Sequence, residues 1–127
     1  DFLILNPDTF WNSNYLSSIK QMSNMYFDKE LENILLIVDK KKSYDSRLKG
    51  DFGMSNNILN KKKIHYIYTG CQIINKKLFN GYKKKKFSIS DIWNKKLGDN
   101  SLYGLESSED FLHLTDLEIY NRLLKHN

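Results

Sequence analysis

The chain has little to cross-link or stiffen it. Its 127 residues contain one cysteine, Cys71, and one proline, Pro7. A single thiol excludes an internal disulfide framework and leaves the redox compartment open. Cys71 follows Gly70 in an apolar, strand-like run and reads as a small buried residue. Arginine is equally scarce: of 20 Lys and Arg, only Arg47 and Arg122 are arginine. That counts against a dedicated nucleic-acid surface, where the bidentate guanidinium is the better reader of phosphate and guanine. No apolar run approaches the roughly 20 residues needed to cross a bilayer, and no signal peptide is recognisable. The expected location is therefore the cytoplasm, with no membrane partner. No internal repeat is present, and no low-complexity segment beyond the lysine runs.

What is present is ordinary for one modest globular domain: 40% hydrophobic and 28% charged residues. The formal net charge of +5 comes largely from lysine runs at Lys40-Lys42, Lys61-Lys63 and Lys83-Lys86. These fall at expected segment ends and carry no interleaved aromatic platform of the kind single-strand binders use. A solvated-loop reading is preferred over a nucleic-acid patch.

The first dozen residues organise the rest. Phe2 to Leu5 is an uninterrupted apolar run, which predicts a fully buried strand of a parallel sheet. Asn6-Pro7 stops it, because proline lacks a ladder donor. Asp8 then sits just past the carboxyl end of a strand, where open α/β sheets bind ligands. A carboxylate there could hold Mg²⁺ against a phosphate, or could simply cap a turn or helix. The chain opens inside a strand with no initiator Met, so it is expected to be the carboxyl-terminal part of a longer protein.

Asn14 to Phe27 has helical spacing, with Leu16, Ile19, Met22, Met25 and Tyr26 as the expected core stripe. Asn33 to Val38 is a second buried strand, and strand-helix-strand predicts a parallel βαβ unit. Asp39 to Lys49 reads as a polar loop. Gly50-Asp51-Phe52 leads into a small hairpin turning at Asn56-Asn57, residues that tolerate left-handed backbone. Ile64 to Ile74 is a third strand, interrupted at Thr69-Gly70 by a bulge or by the close approach of a ligand. His65 lacks a second metal-like partner nearby and reads as a strand-surface residue. A helical turn is expected at Lys76 to Phe79, and a helix from Phe87 to Leu97 with Ile89, Ile92, Trp93 and Leu97 on one face. Gly98-Asp99-Asn100 ends that helix. Leu102 to Glu106 and Phe111 to Leu114 are short strands. Thr115-Asp-Leu-Glu118 is a capping box that opens a last helix.

This order resembles the carboxyl-terminal half of the sugar-phosphate nucleotidyltransferases, in the branch that includes N-acetylmuramate 1-phosphate uridylyltransferase. Asn6-Pro7-Asp8 resembles that family's Asn-Gly-Asp turn, whose Asp binds Mg²⁺, with Pro7 at the Gly position. Gly50-Asp51-Phe52 resembles the branch's Gly-Asp-Phe stretch. Tyr68 to Ile74 resembles the strand whose Gly lets the sugar approach the backbone. Phe111 to Glu118 resembles Trp-x-Asp-x-Gly-Thr-x-Glu, with His113 at the position of the second metal ligand. Imidazole there is a poor match to Mg²⁺, which favours oxygen. The family's Gly-x-Gly-Thr-Arg loop and its Pro-Lys-Pro are absent.

The resemblance implies an α/β fold: the carboxyl-terminal part of a Rossmann-like nucleotide-diphospho-sugar transferase, with a mixed, mostly parallel sheet, flanking helices and a small hairpin. Residues 1–127 would form one partial nucleotidyltransferase domain. It implies Mg²⁺-dependent nucleotidyl transfer from a nucleoside triphosphate to a sugar 1-phosphate, in the full-length protein and not in this piece alone. Asp8 would be catalytic, Asp8 and His113 would be metal ligands, and Asn6, Gly50, Asp51, Thr69 and Gly70 would bind substrate. Two other classes remain: a non-catalytic binding relative, suggested by Pro7 and His113, and a basic nucleic-acid-binding domain. The expected arrangement brings Asp8, Gly70 and His113 to one concave face.

Overall fold

The computed structural model describes residues 1–7, 9, 11–44, 47–79 and 89–112. The strands are β1 (Phe2–Leu5), β2 (Asn33–Asp39), β3 (Gly53–Ser55), β4 (Ile58–Asn60), β5 (Tyr66–Ile74) and β6 (Tyr103–Glu106). The α-helices are α1 (Tyr15–Asp28) and α2 (Ile89–Gly98). All six strands join one sheet in the order β1-β5-β2-β6-β4-β3.

The α/β class holds, as does the parallel sense of β1 and β2: both run antiparallel to β5, which lies between them. The balance of pairing differs from the expected mostly parallel sheet. Among the described strands only β2 and β6 are hydrogen-bonded in parallel, and the other strand pairs are antiparallel. The reason is that the third long strand in sequence enters between the first two.

Burial follows from that order. β2 is central, and Ile34 to Val38 are fully buried. Their side chains alternate between faces that are both covered, so the run needs no polar residue. On one face Ile34 and Leu36 pack with Cys71, Ile73 and the Tyr15, Met22 and Tyr26 side chains of α1. On the other, Leu35 and Ile37 pack with Phe52, Leu59 and Leu102, under Trp93 and Leu97 of α2.

Two expectations about burial are corrected. β1 is an edge strand, not a buried one: Phe2 and Leu3 are each 50% exposed. An apolar run reports capacity for burial, while position in the sheet decides it. The stripe of α1 keeps Met22 and Tyr26 buried, with Ile19 and Met25 packed beside them, but differs at its start. Leu16 is 67% exposed, while Tyr15 and Ser18 are buried. Ser18 is tolerated there because its hydroxyl meets that of Ser107 at 3.0 Å.

The helix ends and the hairpin have identifiable causes. Glu30 takes φ 52° after α1, and Leu31 N–H closes onto the Tyr26 carbonyl at 2.9 Å. Asn100, not Gly98, is the left-handed residue after α2 (φ 55°), and Ser101 N–H bonds the Lys96 carbonyl. Both closures satisfy carbonyls that a helix terminus leaves open. Asn56 and Asn57 both have positive φ, as a two-residue hairpin turn of this hand requires. The final helix expected after Thr115 lies outside the described residues.

The exposure of Leu16 gives a direct test. Met22→Ala should lower stability by about 2–5 kcal/mol, through lost burial and a residual cavity. Leu16→Ala should change it by less than about 0.5 kcal/mol. Urea titration of both variants distinguishes this register from one that buries Leu16.

Candidate functional site

Three strands end at one edge of the sheet. β1, β2 and β6 share a direction, so their carboxyl ends at Leu5, Asp39 and Glu106 lie on the same side. Ligands in open α/β sheets bind at this kind of edge. The turn after β1 is fixed there against β5. Asn6 N–H donates to the Gly70 carbonyl at 2.8 Å. The Thr9 hydroxyl donates to the Thr69 carbonyl at 2.7 Å, and the Trp11 indole N–H to the Asn6 carbonyl at 2.9 Å. Asn6, Thr69 and Gly70 are thus brought together, with Asp8 in sequence between Asn6 and Thr9. Thr9 and Trp11 are functional supports that sequence reading did not single out. The only cue to them was a hydroxyl and an indole just past a strand-ending proline.

Gly70 is the pivot. Opposite it, β2 advances two residues, Leu35 to Ile37, while β5 advances four, Tyr68 to Gln72. The surplus forms a bulge, and Gly70 absorbs it at φ 97°. A Cβ on Gly70 would lie 2.7 Å from Asn6 Cβ, so the close approach also demands glycine. The glycine is therefore explained first by chain geometry. Thr69 is committed too: its buried hydroxyl donates to the Leu36 carbonyl at 2.9 Å and accepts from Cys71 N–H at 3.2 Å.

Gly50 and Asp51 reach the same edge of β5 from the hairpin side. Asp51 N–H donates to the Tyr66 carbonyl, and the Asp51 carboxylate accepts from Tyr68 N–H at 2.9 Å. That carboxylate replaces a ladder carbonyl two residues before β5 meets Asn6. Lys61 donates to the Asp51 carbonyl at 2.7 Å, with its ammonium 4.5 Å from the centre of the Phe52 ring. A Cβ on Gly50 would lie 1.6 Å from the Ile64 carbonyl oxygen, so the backbone passes too close for any side chain. Gly50 borders a hollow of its own beside Lys40 and Lys49.

The described part of the edge offers oxygen donors. Burial pushes the Cys71 thiol up to about 12, which keeps it protonated and unfit as a soft ligand. The hydroxyls and carbonyls around the Asn6 turn are of the hard-oxygen class that Mg²⁺ prefers, but each one named above is engaged within the turn and β5. Among the described residues no group of three or more His, Cys, Asp or Glu is placed to hold a metal. Asp8 and His113 both lie outside the described residues, so their expected convergence with Gly70 does as well. His65 lies one residue before β5 and not in the strand, its ring tilted against that of Tyr66 with centres 4.2 Å apart. Lys61 to Lys63 are exposed, as expected, and Lys83 to Lys86 lie outside the described residues.

No protein-family model and no curated protein matches the chain. Among solved structures, the fold is similar to a Bacillus anthracis protein assigned provisionally as a glucose-1-phosphate thymidylyltransferase, determined in complex with a sucrose. The TM-score is 0.66 at 16% sequence identity, over 94% of this chain and 51% of that one. The likeness is one of fold, and the chain spans about half the length of that neighbour.

Two measurements follow from this geometry. Gly70→Ala should destabilise the fold by about 1–2 kcal/mol from backbone conformation alone, with further cost from the Asn6 contact. Urea titration reads the loss, and a smaller one would mean the turn yields freely. High pH gives the second. Burial also pushes Tyr15 up to about 12, helped by the charges of Glu109 and Asp110. Tyr15 and Cys71 therefore hold their protons in the folded state at pH values where the unfolded chain has lost them. Stability is fully present below about pH 9 and falls as pH rises from there toward 12. Tyr15→Phe should flatten that fall in a pH series of thermal melts.

Proposed function

We propose that the chain forms the sugar-side and metal-side half of a sugar-phosphate nucleotidyltransferase, in the branch that includes N-acetylmuramate 1-phosphate uridylyltransferase. One observation carries the reading: Asn6, just after β1, is pinned against the Gly70 bulge at the carboxyl edge of a sheet similar in fold to a sugar nucleotidyltransferase structure, and Asp8 follows two residues later in sequence. That neighbour's bound sucrose agrees with a sugar-binding role.

The proposed reaction is in-line. An oxygen of the sugar 1-phosphate forms a bond to the α-phosphorus of a nucleoside triphosphate, and the bond to the β-phosphate breaks. Pyrophosphate leaves with the electron pair. Asp8 would hold Mg²⁺, which neutralises phosphate charge when bound. The chain's own contribution is positional. Asn6 is pinned to Gly70, so the turn carrying Asp8 has a fixed root. Gly70, lacking a Cβ, lets Asn6 close onto the backbone, and the pair would form the floor against which a sugar rests. Asp51 and Gly50 border the same edge from the hairpin. His113 would stand at the second metal position with a nitrogen donor in place of a carboxylate. The nucleotide-cradling Gly-x-Gly-Thr-Arg loop is not among these 127 residues, so turnover is assigned to the full-length protein.

A second reading is a non-catalytic binding relative, favoured by Pro7 and His113 at positions where the family has Gly and Asp. A pyrophosphate-release assay with nucleoside triphosphates, sugar 1-phosphates and Mg²⁺ separates the two. In the full-length protein Asp8→Ala should abolish release, while His113→Asp should preserve or raise it. Undiminished release by Asp8→Ala would overturn the catalytic assignment. Absence of release from both wild type and His113→Asp would favour the binding relative.

A further inference from the structure

The turn after β1 is held at two points by adjacent residues of β5. Asn6 N–H bonds the Gly70 carbonyl at 2.8 Å, and the Thr9 hydroxyl bonds the Thr69 carbonyl at 2.7 Å. In a regular strand successive carbonyls point to opposite edges, so one segment cannot use both. The bulge, with φ 97° at Gly70, brings the pair within reach of a single turn. The Thr69 hydroxyl meanwhile serves the side facing β2, donating to the Leu36 carbonyl. A third bond runs from the Trp11 indole N–H to the Asn6 carbonyl at 2.9 Å, and the Trp11 ring stands edge-on to Tyr15 with centres 5.1 Å apart. The two anchors differ in kind. That of Asn6 is backbone and survives any side chain, whereas that of Thr9 depends on one hydroxyl. Thr9 is 4% exposed, so water competes little for that bond. Only Pro7 and Asp8 stand between the anchors in sequence, and the ring of Pro7 fixes its φ.

We propose that Thr9 is a positioning residue for Asp8: its hydroxyl, braced by the Trp11 indole, fixes the turn so that the Asp8 carboxylate takes up a divalent cation with little left to order. This rests on the assignment of cation binding to Asp8 made above. The oxygens of Thr9, Thr69, Asn6 and Gly70 that hold the turn bond within the protein, so they act as supports and not as ligands. The carboxylate of Asp8 is the hard oxygen donor that the turn then supplies. A ligand held by its supporting hydrogen bonds binds metal more tightly than the same ligand on a loose loop, because the ordering cost is met on folding. Pro7 acts in the same direction. Where glycine would leave the span free to turn, proline removes one of its rotations.

The test is Mn²⁺ binding to the full-length protein without nucleotide, read from the electron paramagnetic resonance signal of the free ion. The part that Asp8→Ala removes is binding at the turn. Thr9→Val keeps the shape and loses the hydroxyl, and should weaken that binding at least about tenfold. Thr9→Ser keeps a hydroxyl and should stay within about threefold of wild type. Trp11→Phe keeps a ring against Tyr15, loses the N–H, and should weaken binding about threefold. Ile73→Val, a mild core truncation outside the turn, should leave it unchanged. Thr9→Val binding as tightly as wild type overturns the proposal. So does a loss that Thr9→Ser fails to recover, a loss that Ile73→Val reproduces, or a wild type with no Asp8-dependent binding. If circular dichroism shows Thr9→Val unfolded, Trp11→Phe decides: weaker binding supports the brace and unchanged binding overturns it. Pyrophosphate release is scored separately. Thr9-dependent Mn²⁺ binding without release keeps the positioning role and removes the catalytic reading. Release that needs Asp8 but is indifferent to Thr9→Val does the reverse.

Discussion

The architecture depends on how one strand shares its two edges. β5 gives one edge wholly to β2 and divides the other between two segments that never pair with each other. Its first part bonds Asp51 and Phe52, through Tyr66 and Tyr68. Its second part bonds β1, from Cys71 to Ile74. The changeover falls at Thr69-Gly70, where the bulge also falls. A regular strand there would carry β1 and the hairpin segment on one straight line. The bulge turns the backbone, opens room for the Asn6 turn and leaves the Thr69 hydroxyl to bridge Leu36 and Cys71 in place of a ladder bond. Glycine is what makes this inexpensive, since both its positive φ and the approach of Asn6 exclude a side chain.

The same strand links the two layers of core. Residues of β5 facing α1, Cys71 and Ile73, are apolar and dry. Those facing α2 include Gln72 and Tyr68, joined by a 3.1 Å hydrogen bond from the Gln72 amide to the Tyr68 hydroxyl. Gln72 also accepts from Asn33 at 3.0 Å and lies 3.4 Å from the Trp93 indole nitrogen. A buried glutamine is tolerable because nearly every group it presents is paired. The network fixes the rotation of α2 over the sheet through polar contacts that a purely apolar interface would lack.

Legibility from sequence followed what local chemistry controls. β2 and β5 were readable because an apolar run that long has few other uses, and the hairpin because adjacent asparagines accept left-handed backbone. The bulge was readable at Gly70, though the choice between bulge and ligand approach was not. What could not be read was decided by distant partners. Phe2 to Leu5 has the composition of a central strand, and among the described residues β5 is its one neighbour. Ser18 looks solvent-facing until Ser107, eighty-nine residues later, supplies its partner. Glu30 gives no hint that it will close α1 in a left-handed turn. At the candidate site, Asn6 and Gly70 were identified from separate motifs and do meet. The supports at Thr9 and Trp11 are single residues whose role exists only once the turn has been pressed onto β5.

The strand order has a consequence for synthesis. β1, α1 and β2 leave the ribosome before β5, yet β1 and β2 do not pair with each other. The strand that belongs between them arrives only with residues 66–74. Until then, the apolar faces of Met22, Tyr26 and the Ile34 to Val38 run have no completed sheet to rest on. The nascent chain must hold a gap one strand wide, then close it from both sides in a single late step. Such non-local closure is slow compared with helix or hairpin formation, and the waiting segment exposes unpaired strand edges. Translation speed across the hairpin, and any factor that shields β2 in the interval, would therefore bear on yield more than the native contacts alone imply.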